Sequence, residues 1–159
     1  MENVTSNSSM PMGNGNGKSL QEIISKQQEH FKRIGRIGEL FVLEKERIKL
    51  AGTRYAALVR DLTDDPDTHY DILSFTVDGE EIYIEVKSTT STNPHSKFYM
   101  SQDEIDIAWN YWVNDCDYQI HRVFAVGGKI DRFIFTSAWL FREYDFIGKT
   151  FEVRRKVAA

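Results

Sequence analysis

One cysteine, Cys116, stands in a chain of 159 residues that also has only three prolines. A lone thiol cannot form an internal disulfide, so the fold must rest on packing, and a reducing cytoplasm suits such a chain. No apolar run approaches the roughly 20 residues of a membrane span, and no basic-then-apolar leader marks a secreted protein. Excess positive charge is missing too: 20 Lys and Arg against 24 Asp and Glu give a net charge of −4. That excludes coating nucleic acid through bulk charge. A metal-dependent enzyme escapes the exclusion, because bound ions neutralise an acidic site. What is present suffices for a core, at 41% hydrophobic and 13% aromatic residues, in one domain's worth of chain.

Residues 1–18 are Asn, Ser and Gly with scattered Met. Nothing there offsets ordering entropy, so a disordered tail is predicted, with the folded domain spanning 19–159. Ser19 with Glu22 forms the pattern of a capping box, and Leu20, Ile23, Ile24, Phe31 and Ile34 carry a helical stripe. Gly35 and Gly38 interrupt it, leaving open one bent helix or two. Beyond them Leu40, Leu43, Ile48 and Leu50 form an apolar side up to a stop at Gly52, with Glu39 beside that side. Residues 54–62 are ambiguous and 63–68 a loop. Ser101 and Glu104 repeat the capping box before a helix expected to bury Ile105, Ala108, Trp109, Trp112 and Val113. Strands are expected over 118–126 and 130–136, a helical turn over 137–144, and an edge strand over 150–157. The order is that of an α/β (α+β) domain, a small mixed sheet flanked by helices.

Between the helices lies His69–Thr90, two strands rich in Ile, Val, Phe, Tyr and Thr around Asp78-Gly79. Asp71 opens the first strand. Glu85 and Lys87, two apart, share a face of the second. Two carboxylates and an ammonium make poor core, yet they suit phosphodiester hydrolysis. Asp71 and Glu85 would hold Mg2+ (or Mn2+), with the Val86 carbonyl as a third ligand, and the metal would lower the pKa of a bound water. Lys87 would orient or help deprotonate that water and stabilise transition-state charge. The set imposes a condition on register. A two-residue turn would put Asp71 on the face of Val86, so the hairpin must carry an odd loop or a bulge, which sets Asp71 opposite Lys87.

Gly38-Glu39 in a first helix, HYDI at 69–72, IEVK at 84–87 and FYMSQDE at 98–104 together resemble the restriction-endonuclease-like PD-(D/E)xK superfamily. The nearest likeness is to the domain named for the C-terminal part of plant NO VEIN proteins, over about residues 30–130. Tyr70 stands where that superfamily's pattern has proline. The resemblance implies a restriction-endonuclease-like three-layer core. It makes Asp71, Glu85 and Lys87 the catalytic core, with Glu39 a further acid reaching the metal. It also implies nucleic acid, DNA first, as partner, with a homodimer or a targeting protein to direct cleavage, since one metal site cuts one strand.

Blander readings compete. Glu85 and Lys87 would also serve as a solvated ion pair worth little. Glu104 is explained as a capping acid, Trp109 and Trp112 as core, and His69 and His95 as ordinary polar residues at loop ends. Arg154-Arg155-Lys156 suits a charged edge strand as well as a phosphate grip. The rival function is a catalytically silent module that keeps the fold to bind nucleic acid or a partner protein; a third is a phosphate-ester hydrolase acting on nucleotides.

Overall fold

A computed structural model describes residues 19–148. The predicted tail over 1–18, the edge strand over 150–157 and the cluster Arg154-Arg155-Lys156 lie outside the described residues.

Helix α1 (Leu20–Lys49) begins at the predicted capping box, with Ser19 and Glu22 bonded reciprocally. It runs through Gly35 and Gly38 as one helix of 30 residues, about 45 Å long. Gly38 is buried rather than breaking: a Cβ there would lie 1.9 Å from Ser88 Oγ, so the glycine lets the helix press against the sheet. The buried side is Ile34, Gly38, Val42, Leu43 and Glu46. This corrects the predicted faces. Leu40 and Ile48 are exposed, as are Leu20, Ile23, Ile24 and Phe31. Val42, one step beyond Phe41, keeps the 3.6 period with Ile34 and Gly38 that the sheet selects.

A short 3-10 turn (Arg54–Leu58) and strand β1 (Arg60–Asp61) resolve the ambiguous segment. Strands β2 (Ile72–Phe75), β3 (Glu81–Ser88), β4 (Asp117–Phe124) and β5 (Asp131–Thr136) complete a sheet of order β1-β2-β3-β4-β5. All neighbours are antiparallel except β3 and β4, which are parallel. That pairing requires a crossover, supplied by α2 (Gln102–Val113), and α3 (Ser137–Glu143) follows β5. α1 packs over Ile72, Ile82, Ile84 and Val123. Ala108 of α2 and Leu140 of α3 pack with Ile120 and Phe135. Ile120 pairs with Glu85 and not with Ile84, so the two clusters occupy opposite faces. The architecture is helix, mixed sheet, helix.

The burial predicted for α2 needs correction. Only Ala108 is buried, and Ile107 and Tyr111 help pack the inner side. Trp109 is 50% exposed and Val113 57%. Trp112 stacks on Phe141, with ring centroids 5.6 Å apart. Trp109, Trp112 and Phe141 form an outer aromatic seam between α2 and α3, for which the sequence period alone could not distinguish sheet from neighbouring helix.

Candidate functional site

The hairpin turn decides where the acidic side chains meet. Thr76 N–H donates to Glu80 O at 2.8 Å, leaving Val77-Asp78-Gly79 as a three-residue loop with Gly79 at φ 96°. The odd loop is the predicted one, and its third residue must be glycine twice over: the positive φ is left-handed, and a Cβ would sit 2.2 Å from Tyr55 Oη. The register differs by two from the prediction. Ile72 pairs with Ile84, and the Asp71 N–H reaches the same Ile84 carbonyl, so Asp71 lies beside Ile84 just before the ladder and not opposite Lys87. The turn is centred on Asp78, whereas Asp71 opposite Lys87 needs a centre at Gly79; parity follows from which side chains share a face, but the position of the turn does not.

Asp71 is fixed by backbone. Its N–H donates to Ile84 O at 2.9 Å, and its Oδ2 accepts the Val86 N–H at 2.7 Å. A strand residue's N–H and C=O leave the same edge. The Val86 carbonyl therefore also points to the edge beside Asp71, where β2 has not yet begun. Glu85 is 6% exposed, and its Oε1 lies 2.8 Å from Lys87 Nζ. Lys87 Nζ also donates to Glu104 Oε2 at 2.8 Å.

Asp71, Glu85 and Glu104 line one open cleft of about 220 Å3, together with His69, Tyr70, Asp65 and Asp103. Burial, and then the charge of Asp71, pushes the Glu85 carboxyl well above the ordinary range. Burial likewise raises Asp71; the Val86 N–H opposes the shift and the charge of Glu39 adds to it. Burial disfavours the Lys87 ammonium, but Glu85 and Glu104 outweigh it and hold Lys87 above the ordinary lysine value. Among the described residues, Glu85 and Glu104 share the Lys87 ammonium and Asp71 has none of its own, so the shortage of positive charge falls on Asp71 and Glu85.

Glu39 stands apart from this cleft. Arg36 donates to it at 3.0 Å and to Asp61 at 2.7 Å, so Glu39 reaches Asp71 only through its charge. His69 lines the cleft, while His95 meets Phe133 edge-on at 4.9 Å. The structure thus gathers Asp71, Glu85, Val86 and Lys87 and leaves Glu39, predicted as a further metal ligand, outside the cleft and paired with Arg36.

Two contributors went unseen in the sequence. The cap accounts for Glu104 in the sequence, and nothing local shows that its other neighbour is Lys87. Arg122 is 2% exposed, and its Nη1 donates to Lys87 O at 3.0 Å and its Nη2 to Ser96 Oγ at 3.0 Å. It locks the strand backbone under Lys87 to the loop that follows.

Among the described residues no three His, Cys, Asp or Glu groups are arranged to hold a metal ion. The donors beside the cleft are two carboxylates and a backbone carbonyl, a small all-oxygen set of the kind Mg2+ accepts while keeping waters. The deficit of positive charge at Asp71 and Glu85 fits a divalent cation. Residues 38–135, well over half of the chain, match the family described as Protein NO VEIN, C-terminal. The chain belongs to the NO VEIN C-terminal family. The matched span opens at Gly38-Glu39 and closes in β5, so every residue of the cleft lies within the NO VEIN C-terminal region. No curated protein and no solved structure matches the chain. No described helix is long and apolar enough to cross a membrane.

Proposed function

We propose that this member of the NO VEIN C-terminal family is a metal-dependent nuclease of the PD-(D/E)xK kind, hydrolysing phosphodiester bonds, in DNA first. The observation that carries the reading is that Asp71 and Glu85 line one cleft while the Lys87 ammonium lies 2.8 Å from Glu85 Oε1. Asp71, Glu85 and the Val86 carbonyl would hold Mg2+ or Mn2+, which when bound polarises phosphate and acidifies water. The chain's own residues do the rest. Val86 N–H orients the Asp71 carboxylate, and Glu85 holds the Lys87 ammonium at the cleft. Lys87 positions the attacking water and stabilises the extra negative charge of the transition state. Glu39 deepens the negative potential behind Asp71. A targeting protein or a second copy would direct the cut.

The test is incubation of plasmid and single-stranded substrates with Mg2+ or Mn2+, comparing wild type with Asp71→Ala and Lys87→Ala. Each variant should lose on the order of a hundredfold in rate or more. Equal cleavage by all three proteins would sink the assignment. The catalytically silent binding module is favoured by one observation, the pairing of Glu39 with Arg36 instead of with the cleft. It predicts nucleic-acid or partner binding that Asp71→Ala leaves intact, with no cleavage by any form.

A further inference from the structure

Lys87 has two acids, and they come from different elements. Glu85 Oε1 is its neighbour on β3 and Glu104 Oε2 reaches it from α2, each at 2.8 Å. The Glu104 side chain is not free to wander. Its Oε2 also accepts the Ser101 N–H at 3.0 Å, and Ser101 Oγ accepts the Glu104 N–H at 3.2 Å. One carboxylate oxygen therefore closes the helix cap and grips the lysine. An ammonium has three protons; two go to these acids, and the third is left for a water or a phosphate oxygen.

We propose that Glu104 is the positioning residue of Lys87, keeping the ammonium at the cleft when Glu85 turns to a divalent cation. This rests on the reading of Asp71 and Glu85 as metal ligands. With Glu85 as its only acid, Lys87 would compete with the cation for one carboxylate. The second acid removes that conflict, because Lys87 keeps a partner on a capped, rigid helix end while Glu85 is recruited. Arg122, bonded to Lys87 O at 3.0 Å, holds the backbone from which the side chain reaches.

Glu104→Gln separates this role from capping. Glutamine serves the same position in a capping box, so the variant keeps the cap and loses only the charge facing Lys87. Calorimetry with Mn2+ should show affinity weakened about 10- to 100-fold, the usual effect of losing a group that orients a ligand shell. In metal-free buffer, acylation of Lys87 followed by mass spectrometry should run several-fold faster in the variant than in wild type. On DNA, kcat should fall while KM holds. Ser101→Ala supplies the contrast: it loses the cap and some thermal stability yet keeps Mn2+ affinity and slow labelling. A Glu104→Gln variant equal to wild type in both Mn2+ affinity and Lys87 labelling would overturn the proposal and leave Glu104 a cap. Should wild type take up no Mn2+ while the variant still unmasks Lys87, the metal reading fails and the grip on Lys87 stands.

Discussion

His121 is a histidine in a place that forbids its charge. It is fully buried, with Nε2 3.1 Å from Gln119 Oε1 and Nδ1 3.2 Å from Arg132 Nη1. Arg132 can only donate, so Nδ1 accepts and the proton sits on Nε2. Burial, and then the Arg132 charge, lowers its pKa from 6.5 to about 3. A base depressed in the folded state costs stability as pH falls, because the unfolded chain binds the proton first. Unfolding free energy should drop by about 1.4 kcal/mol for each unit below 6.5 from this group, levelling near 3. Urea melts of wild type and His121→Gln from pH 7 to pH 4 check it, and the variant should show the shallower slope. Gly38 permits a second test at this scale. Gly38→Ala drives a methyl into Ser88 Oγ and Cβ, which should destabilise by about 1–3 kcal/mol. Combining it with Ser88→Ala should restore part of the loss in the same melts.

α1 is two helices by energy although one by hydrogen bonding. Residues 19–33 are exposed throughout, whereas from Ile34 onward the helix meets the sheet. Its anchor there is Glu46, 1% exposed, which accepts from Ser74 Oγ at 2.6 Å and Arg132 Nη1 at 2.9 Å and is paired with Lys49. Burial opposes the charge of Glu46, but the bonds from Lys49 and Ser74 prevail and hold its carboxyl below the ordinary range. Glu46→Ala strands Arg132 and should cost about 3–5 kcal/mol, measured by denaturant unfolding. Hydrogen exchange should find amides of residues 20–33 opening far more readily than those of 38–49, since packing and not propensity stabilises the second half. Equal protection along the helix would contradict this. The features legible in the sequence are those with local causes: both capping boxes, the order of elements, the odd hairpin loop. What was not legible depends on distant partners. Glu46 looks like a surface acid until Ser74 and Arg132, 28 and 86 residues away, are folded against it. Trp109 and Trp112 fit a helical face, but Phe141, and not the sheet, receives Trp112. The candidate site was half visible: Asp71, Glu85 and Lys87 stand in one short segment, whereas Glu104 and Arg122 meet them only through tertiary contacts.

Across the whole molecule the two sheet faces carry opposite burdens. The α1 face buries a satisfied ion network, with Glu46 matched by Arg132 and Lys49. The α2 face gathers Asp71, Glu85 and Glu104 with Lys87 as the one paired cation among the described residues, and both Asp71 and Glu85 are held above the usual carboxylate range, chiefly by burial. An acid raised in the folded state stabilises at low pH and loses that contribution as pH rises through its folded value. The cleft is therefore a store of instability near neutral pH, the usual cost of an arranged site. Asp71→Asn, whose amide oxygen still accepts the Val86 N–H, should raise unfolding free energy by about 1 kcal/mol at pH 8 in chelator. Mn2+ should stabilise wild type and not this variant. Thermal melts at matched pH check both, and a destabilised Asp71→Asn would show that the two acids are already balanced.

The parallel pairing of β3 with β4 bears on when such a site comes into being. Hairpin β2–β3 closes through a loop between Phe75 and Glu81, an event of about 1–10 microseconds. β4 joins β3 in the register Glu85–Ile120 and Lys87–Arg122, which waits on the whole intervening crossover. Contacts so distant along the chain form slowly. During refolding Asp71 and Glu85 are thus neighbours from the start, while Glu104 and Arg122, which hold Lys87 from α2 and β4, arrive last. A chain emerging from the ribosome carries its two acids long before it carries a finished site, and gains that site only once β4 and the helix before it have been synthesised.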